Sequence, residues 1–121
     1  MKSIYAKIEP YRTKDGSIIR ELMHPGMQGN RLQSLAEAIV EPGCETALHF
    51  HRTSEELYHI TAGQGLMILG TEQFSVSVGD TVCIQPGTPH CIRNTTKATL
   101  KILCCCAPPY SHEDTELIVC K

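Results

Sequence analysis

No stretch of this 121-residue chain approaches the roughly 18 consecutive apolar residues that a membrane-spanning helix needs. The opening segment, "MKSIYAKIEPYR", has no apolar core of the kind that directs export, so no secretory signal is read and a cytoplasmic protein is expected. Charge of one sign is also scarce. A formal net charge of -2 gives no electrostatic reason to expect nucleic acid or an anionic membrane as partner. There is no repeat at solenoid period, no low-complexity stretch and no linker, which leaves one domain long enough to bury its own core. No DNA-binding segment is attached, which argues against a one-component transcription regulator. Hydrophobic content of 41% is that of an ordinary globular chain rather than a disordered one.

Cys-x-x-Cys pairs are missing although the chain has seven cysteines, so a structural zinc knuckle has no support. An odd count without an export signal also argues against a disulfide framework. Cys104, Cys105 and Cys106 are consecutive, and on a strand such neighbours point to opposite faces, so they do not converge on one metal. The cysteines are expected to be small buried hydrophobes in a reducing compartment.

What the chain has in quantity is turn punctuation. Asp15-Gly16, Pro25-Gly26, Gly29-Asn30, Pro42-Gly43, Gly63 to Gly65, Gly70, Gly79-Asp80 and Pro86-Gly87 recur at short intervals. Between them lie "SIIREL", "AEAIV", "TALHFH", "ELYHI", "LMIL", "FSVSV", "TVCI", "HCI" and "TLKIL", the pattern of an all-β sandwich or barrel. "NRLQSLAEAIV" has helical spacing at Leu32, Leu35, Ala36 and Ile39, yet its flanking turns favour a turn followed by a strand. A short helical turn is expected in "SHEDTEL", with Ser111 as N-cap and Asp114 three residues later.

His49 and His51 are one residue apart in an extended segment, so both side chains leave the same face while Phe50 faces the other way. Two imidazoles side by side on an inward face are costly to bury unless a metal or another partner meets them. Glu56 follows after a turn, so strand parity does not forbid it from converging on the same point. In a closed β architecture His90, after its own tight turn, can complete a set of three histidines and one glutamate. Such a nitrogen and oxygen set suits Fe, Mn, Zn, Ni or Cu rather than calcium.

These residues carry a resemblance. Gly43, five residues, His49, one residue, His51, four residues, Glu56, six residues and Gly63 resemble the first motif of the cupin superfamily. Gly79, Pro86-Gly87, His90 and Asn94 resemble the second, with Gln85 where that family usually has proline. The resemblance implies a small double-stranded β-helix, a jelly-roll barrel, with one divalent transition metal held by His49, His51, Glu56 and His90. On that frame residues 1–34 are an N-terminal arm and edge strand, 35–109 the barrel core, and 110–121 a tail packing on it. His24, His59 and His112 fall outside both motifs and are expected to be exposed or structural.

Four protein ligands on an octahedral metal leave two open positions, which suit either bidentate substrate or substrate beside dioxygen. Tyr58, two places after Glu56, is expected to share its inward face and serve as hydrogen-bond donor or proton shuttle. Arg52 and Arg93 lie near ligands in sequence, but no inward basic cluster suits a sugar phosphate. Leu100, Ile102 and Cys104 share a face that is expected to be inner, favouring a small and fairly apolar substrate. Three activities stay open: a dioxygenase-type enzyme, slightly favoured; a redox-neutral isomerase or lyase on a sugar or hydroxy acid; and a metal- or ligand-binding module without turnover. The alternating "SIIREL" edge is expected to pair with a second subunit in a homodimer.

Overall fold

The computed structural model describes residues 1–119; Cys120 and Lys121, the end of the expected C-terminal tail, lie outside the described residues. Eleven strands form two antiparallel sheets. They are β1 (Tyr11–Arg12), β2 (Ile18–Met23), β3 (Ser34–Val40), β4 (His49–His51), β5 (Glu55–Ala62) and β6 (Gln64–Leu69). The series continues with β7 (Glu72–Ser77), β8 (Thr81–Ile84), β9 (His90–Arg93), β10 (Leu100–Ala107) and β11 (Thr115–Leu117). One sheet has the order β1-β2-β3-β10-β5-β8 and the other β11-β4-β9-β6-β7, the all-β jelly roll expected from the sequence.

Alternation decides which side chains enter the space between the sheets. Along β3, Ser34, Ala36, Ala38 and Val40 are buried while Leu35 is 36% exposed, so burial runs with period two and the helical spacing of this segment has no effect. Along β10, Leu100, Ile102, Cys104 and Cys106 are buried. Ile60, Met67, Ile84 and Ile92 complete a core from which water is excluded. Gly63 joins β5 to β6 at φ +79°, and a Cβ there would stand 2.5 Å from the Thr99 carbonyl oxygen, so both backbone conformation and space demand glycine.

β2 continues the first sheet from β3, and β1 covers its outer edge only at Ile18 and Ile19. Ser3 adds a side-chain hydrogen bond to the Leu22 carbonyl. The C-terminal segment differs from expectation. Asp114 N–H does donate to Ser111 Oγ at 3.1 Å, as a cap would require, but the turn goes no further. Thr115–Leu117 instead pairs as β11 with β4, because the open edge of β4 offers ladder hydrogen bonds that an isolated turn cannot match.

The cysteines also depart in part from expectation. Cys91, Cys104 and Cys106 are buried, but Cys44 and Cys83 are exposed, since they sit on a loop and on the outward face of β8. No disulfide joins any of the six described cysteines.

Candidate metal centre

The two motif segments are fastened to each other before any ligand is considered. Gly43 N–H donates to the Asn94 carbonyl and Asn94 N–H to the Cys44 carbonyl, each at 2.9 Å. Gly87 N–H donates to the His51 carbonyl at 2.6 Å. Asn94 is buried, and its amide donates to the carbonyls of Val40 and Ala98 while its Oδ1 accepts from Thr96. This clasp sets His49 directly opposite His90 in the β4–β9 ladder.

The three histidines that sequence spacing singles out are thereby brought together. His49, His51 and His90 are at most 3% exposed, and one ring nitrogen of each lies within 4.8 Å of the others. Glu56 reaches them from β5 in the facing sheet, with Oε1 3.1 Å from His51 Nε2 and 3.5 Å from His90 Nε2. These separations resemble those between neighbouring ligands around one ion with bonds of about 2.1 Å, which stand about 3 Å apart.

The opposite ring nitrogens show which atoms remain free. His49 Nδ1 is 2.7 Å from the Ala47 carbonyl and His90 Nδ1 is 2.9 Å from the Thr88 carbonyl. Carbonyls only accept, so both Nδ1 atoms carry the proton. His51 Nδ1 is 2.9 Å from Thr115 Oγ1, whose own proton goes to the Ser111 carbonyl, so this nitrogen donates as well. In neutral form, all three Nε2 atoms therefore present lone pairs to a common point beside a carboxylate. His90 Nε2 is buried and makes no close hydrogen bond among the described residues, with Glu56 Oε1 standing 3.5 Å away at the limit of one. Converging acceptors require a cation between them, either protons on the imidazoles or a metal.

Burial by itself pushes Glu56 upward, but hydrogen bonds and charge from His51 and His90 outweigh it and hold the carboxyl at about 2. Burial, reinforced by the neighbouring His90, lowers His49 below the ordinary histidine range. Cys106 Sγ donates to Glu56 Oε2 at 3.2 Å, which leaves Oε1 as the oxygen aimed at the histidines. Burial and the adjacent carboxylate keep that thiol protonated. Tyr58 is buried on the same face of β5 as Glu56, its ring edge-on to His90 at 6.0 Å, and burial holds its phenol well above the ordinary tyrosine range.

Other sequence candidates lie elsewhere. Arg52 pairs with Glu116 and Arg93 with Glu45, both on the surface. Gln85 is exposed, and its turn still forms, with Thr88 N–H donating to the Gln85 carbonyl. His24 has both nitrogens engaged, by the Tyr110 carbonyl and by Gly26 N–H. His59 is exposed against Thr81, and His112 is exposed against Tyr110.

Sequence reasoning missed three groups. Asp15 Oδ2 stands 3.7 Å from His49 Nε2, while its Oδ1 is fixed by Thr13 and Ser17. Its carbonyl accepts from Ala47 N–H at 2.7 Å, which docks the loop on the strand that carries the histidines. Glu21 and Cys106 also face inward. The signal for Glu21 was present, since it shares strand parity with the apolar Ile19.

Beside this cluster lies a small cavity of about 40 Å³, with Asp15, Glu21, His49, His51, Glu56 and Tyr58 among its walls. No lysine or arginine among the described residues lines it.

Residues 36–106 match the profile of the cupin domain. An uncharacterized protein of Methanocaldococcus jannaschii, MJ1618, is 59% identical over 118 residues, which span 98% of this chain and 94% of that one. Among solved structures, the polyketide cyclase RemF from Streptomyces resistomycificus is similar at a TM-score of 0.84 and 19% identity, covering 100% of this chain and 87% of that one. A predicted oxalate decarboxylase from Thermotoga maritima is similar at 0.78 and 23% identity, covering 89% of this chain and 99% of that one. At such identities the structural likeness shows a shared fold.

Proposed function

This chain belongs to the cupin domain family, and from that premise we propose that it binds one divalent transition metal through His49, His51, Glu56 and His90 and acts on a small organic molecule in its cavity. The observation that carries this is the set of three Nε2 lone pairs converging on a carboxylate, each imidazole oriented by an acceptor at its Nδ1. A bound metal would supply Lewis-acid polarisation of a substrate oxygen, or electron transfer if it is redox-active.

The residues around the cluster favour redox-neutral proton transfer, such as isomerisation or elimination. Tyr58, kept protonated by burial, donates a hydrogen bond to a substrate oxygen. Asp15, with Oδ2 directed toward the cluster, accepts a proton. A printed activity such as polyketide cyclisation belongs to the neighbour; what supports the reading here is the pairing of a donor and an acceptor beside the ligand set. Dioxygenase-type chemistry is the second reading, favoured by the apolar wall of Ile19, Ala36, Ala38, Val40 and Ile102. The burial of Cys91, Cys104 and Cys106 in the thiol form supports a reducing, cytoplasmic compartment. The outer edge of β2 beyond Ile19, which no strand covers, supports a homodimer. A monomer by light scattering refutes that part.

Elemental analysis of protein purified without added metal or affinity nickel tests the centre, beside a His49→Ala, His90→Ala control. Near-stoichiometric metal that the control lacks is expected; no metal in either protein overturns the proposal. Iron together with substrate-dependent oxygen uptake favours the second reading, and anaerobic turnover with zinc or manganese the first.

A further inference from the structure

The histidine end of the cavity is short of a cation, and its outer end is short of a hydrogen-bond donor. Glu21 lies on the inward face of β2 and is 6% exposed. Its Oε1 accepts from the Tyr11 hydroxyl at 2.8 Å, but its Oε2 is buried with no hydrogen-bond partner among the described residues. Leaving a carboxylate oxygen in that state is costly unless a donor reaches it. Among the described residues the cavity walls hold three acidic side chains, Asp15, Glu21 and Glu56, and no lysine or arginine. Two positive charges at the histidines would still leave the lining net negative, so a second anion is repelled while a donor is attracted.

Glu21 also borders a second, outer space. Glu21 and Tyr110 line both the inner cavity and an outer groove bordered by Tyr11, His24 and His112. His24 cannot complete Glu21 from the groove, since both its ring nitrogens are already engaged by Tyr110 and Gly26.

We propose that the cavity ligand carries a hydrogen-bond-donating head group, an amine or a hydroxyl, received by Glu21 Oε2, with an apolar body along Ile19, Ala36 and Ala38. Carboxylates and phosphates are selected against at this end. The inference rests on reading the cavity as the ligand chamber of the metal centre.

Three probes of one size separate the possibilities: n-butylamine, 1-butanol and butyrate, titrated into zinc-treated protein and followed by NMR. At least one donor probe is expected to bind about tenfold or more tightly than butyrate. Amine over alcohol identifies a cationic head group, and equal binding a hydroxyl. Glu21→Gln is expected to weaken the preferred probe about tenfold while zinc content, measured on the same samples, stays unchanged. Glu21→Leu repeats the test should the amide variant fold poorly, and the wild-type ranking needs no variant. Butyrate binding tightest, no binding by either donor probe, or a ranking that Glu21→Gln leaves intact overturns the inference. Absence of zinc with the donor ranking preserved would refute the metal centre alone.

Discussion

The two ends of the cavity solve opposite problems with similar materials. At the histidine end each ring has its Nδ1 tied to an acceptor, and Glu56 has one oxygen held by Cys106. What remains open there is a set of lone pairs, preorganised by the β4–β9 ladder. At the outer end the open group is a carboxylate oxygen, carried on a strand outside either motif. On the reading proposed above, the difference separates two tasks: the motif residues would fix a centre, and the N-terminal strands would choose what approaches it.

The sharpest way to break this contrast is acid titration of metal-free protein. Glu56 sits below its unfolded value, so the stability it contributes is present above about pH 4.3 and is lost as pH falls through about 2. His49, also lowered, adds a loss that begins below about pH 6.5, since the unfolded chain takes up that proton more readily. Denaturant unfolding as a function of pH is expected to show stability falling by on the order of 2 to 3 kcal/mol from neutral pH into the acid range. Glu56→Gln should remove the part below pH 5. An acid limb unchanged in Glu56→Gln would mean that the histidine end does not hold its carboxylate as described.

A smaller effect probes how Glu56 is oriented. Cys106→Ala deletes the donor to Oε2 and is expected to weaken metal affinity about tenfold, whereas Cys106→Ser restores a donor and most of the affinity. Competition against a chelator measures both. Equal losses in the two variants would assign Cys106 to packing alone. Smallest of all, His59→Ala removes an exposed imidazole bonded to Thr81. It should shift stability by no more than about 0.5 kcal/mol and leave metal content untouched.

Much of the histidine end was legible because its information is local. Parity places His49 with His51 and Glu56 with Tyr58, and two of the three Nδ1 acceptors are carbonyls only two residues back in the chain. Nine strand segments were readable from turn punctuation and β-branched runs, since period-two burial acts on each segment separately. β11 was not, because a three-residue strand exists only by virtue of the edge it completes. Asp15 escaped for a similar reason: it reaches His49 through a backbone contact with Ala47, 32 residues away in sequence.

By itself the sequence determined the β alternation, the turns that interrupt it, and the four residues, three histidines and a glutamate, able to hold a metal at motif spacing. Tertiary structure alone decided that Glu56 from one sheet meets histidines from the other, that Cys106 takes one of its oxygens, and that Glu21 Oε2 stands without a donor. Alternation says which face a side chain leaves, but only strand order and register across the two sheets say which side chains then meet.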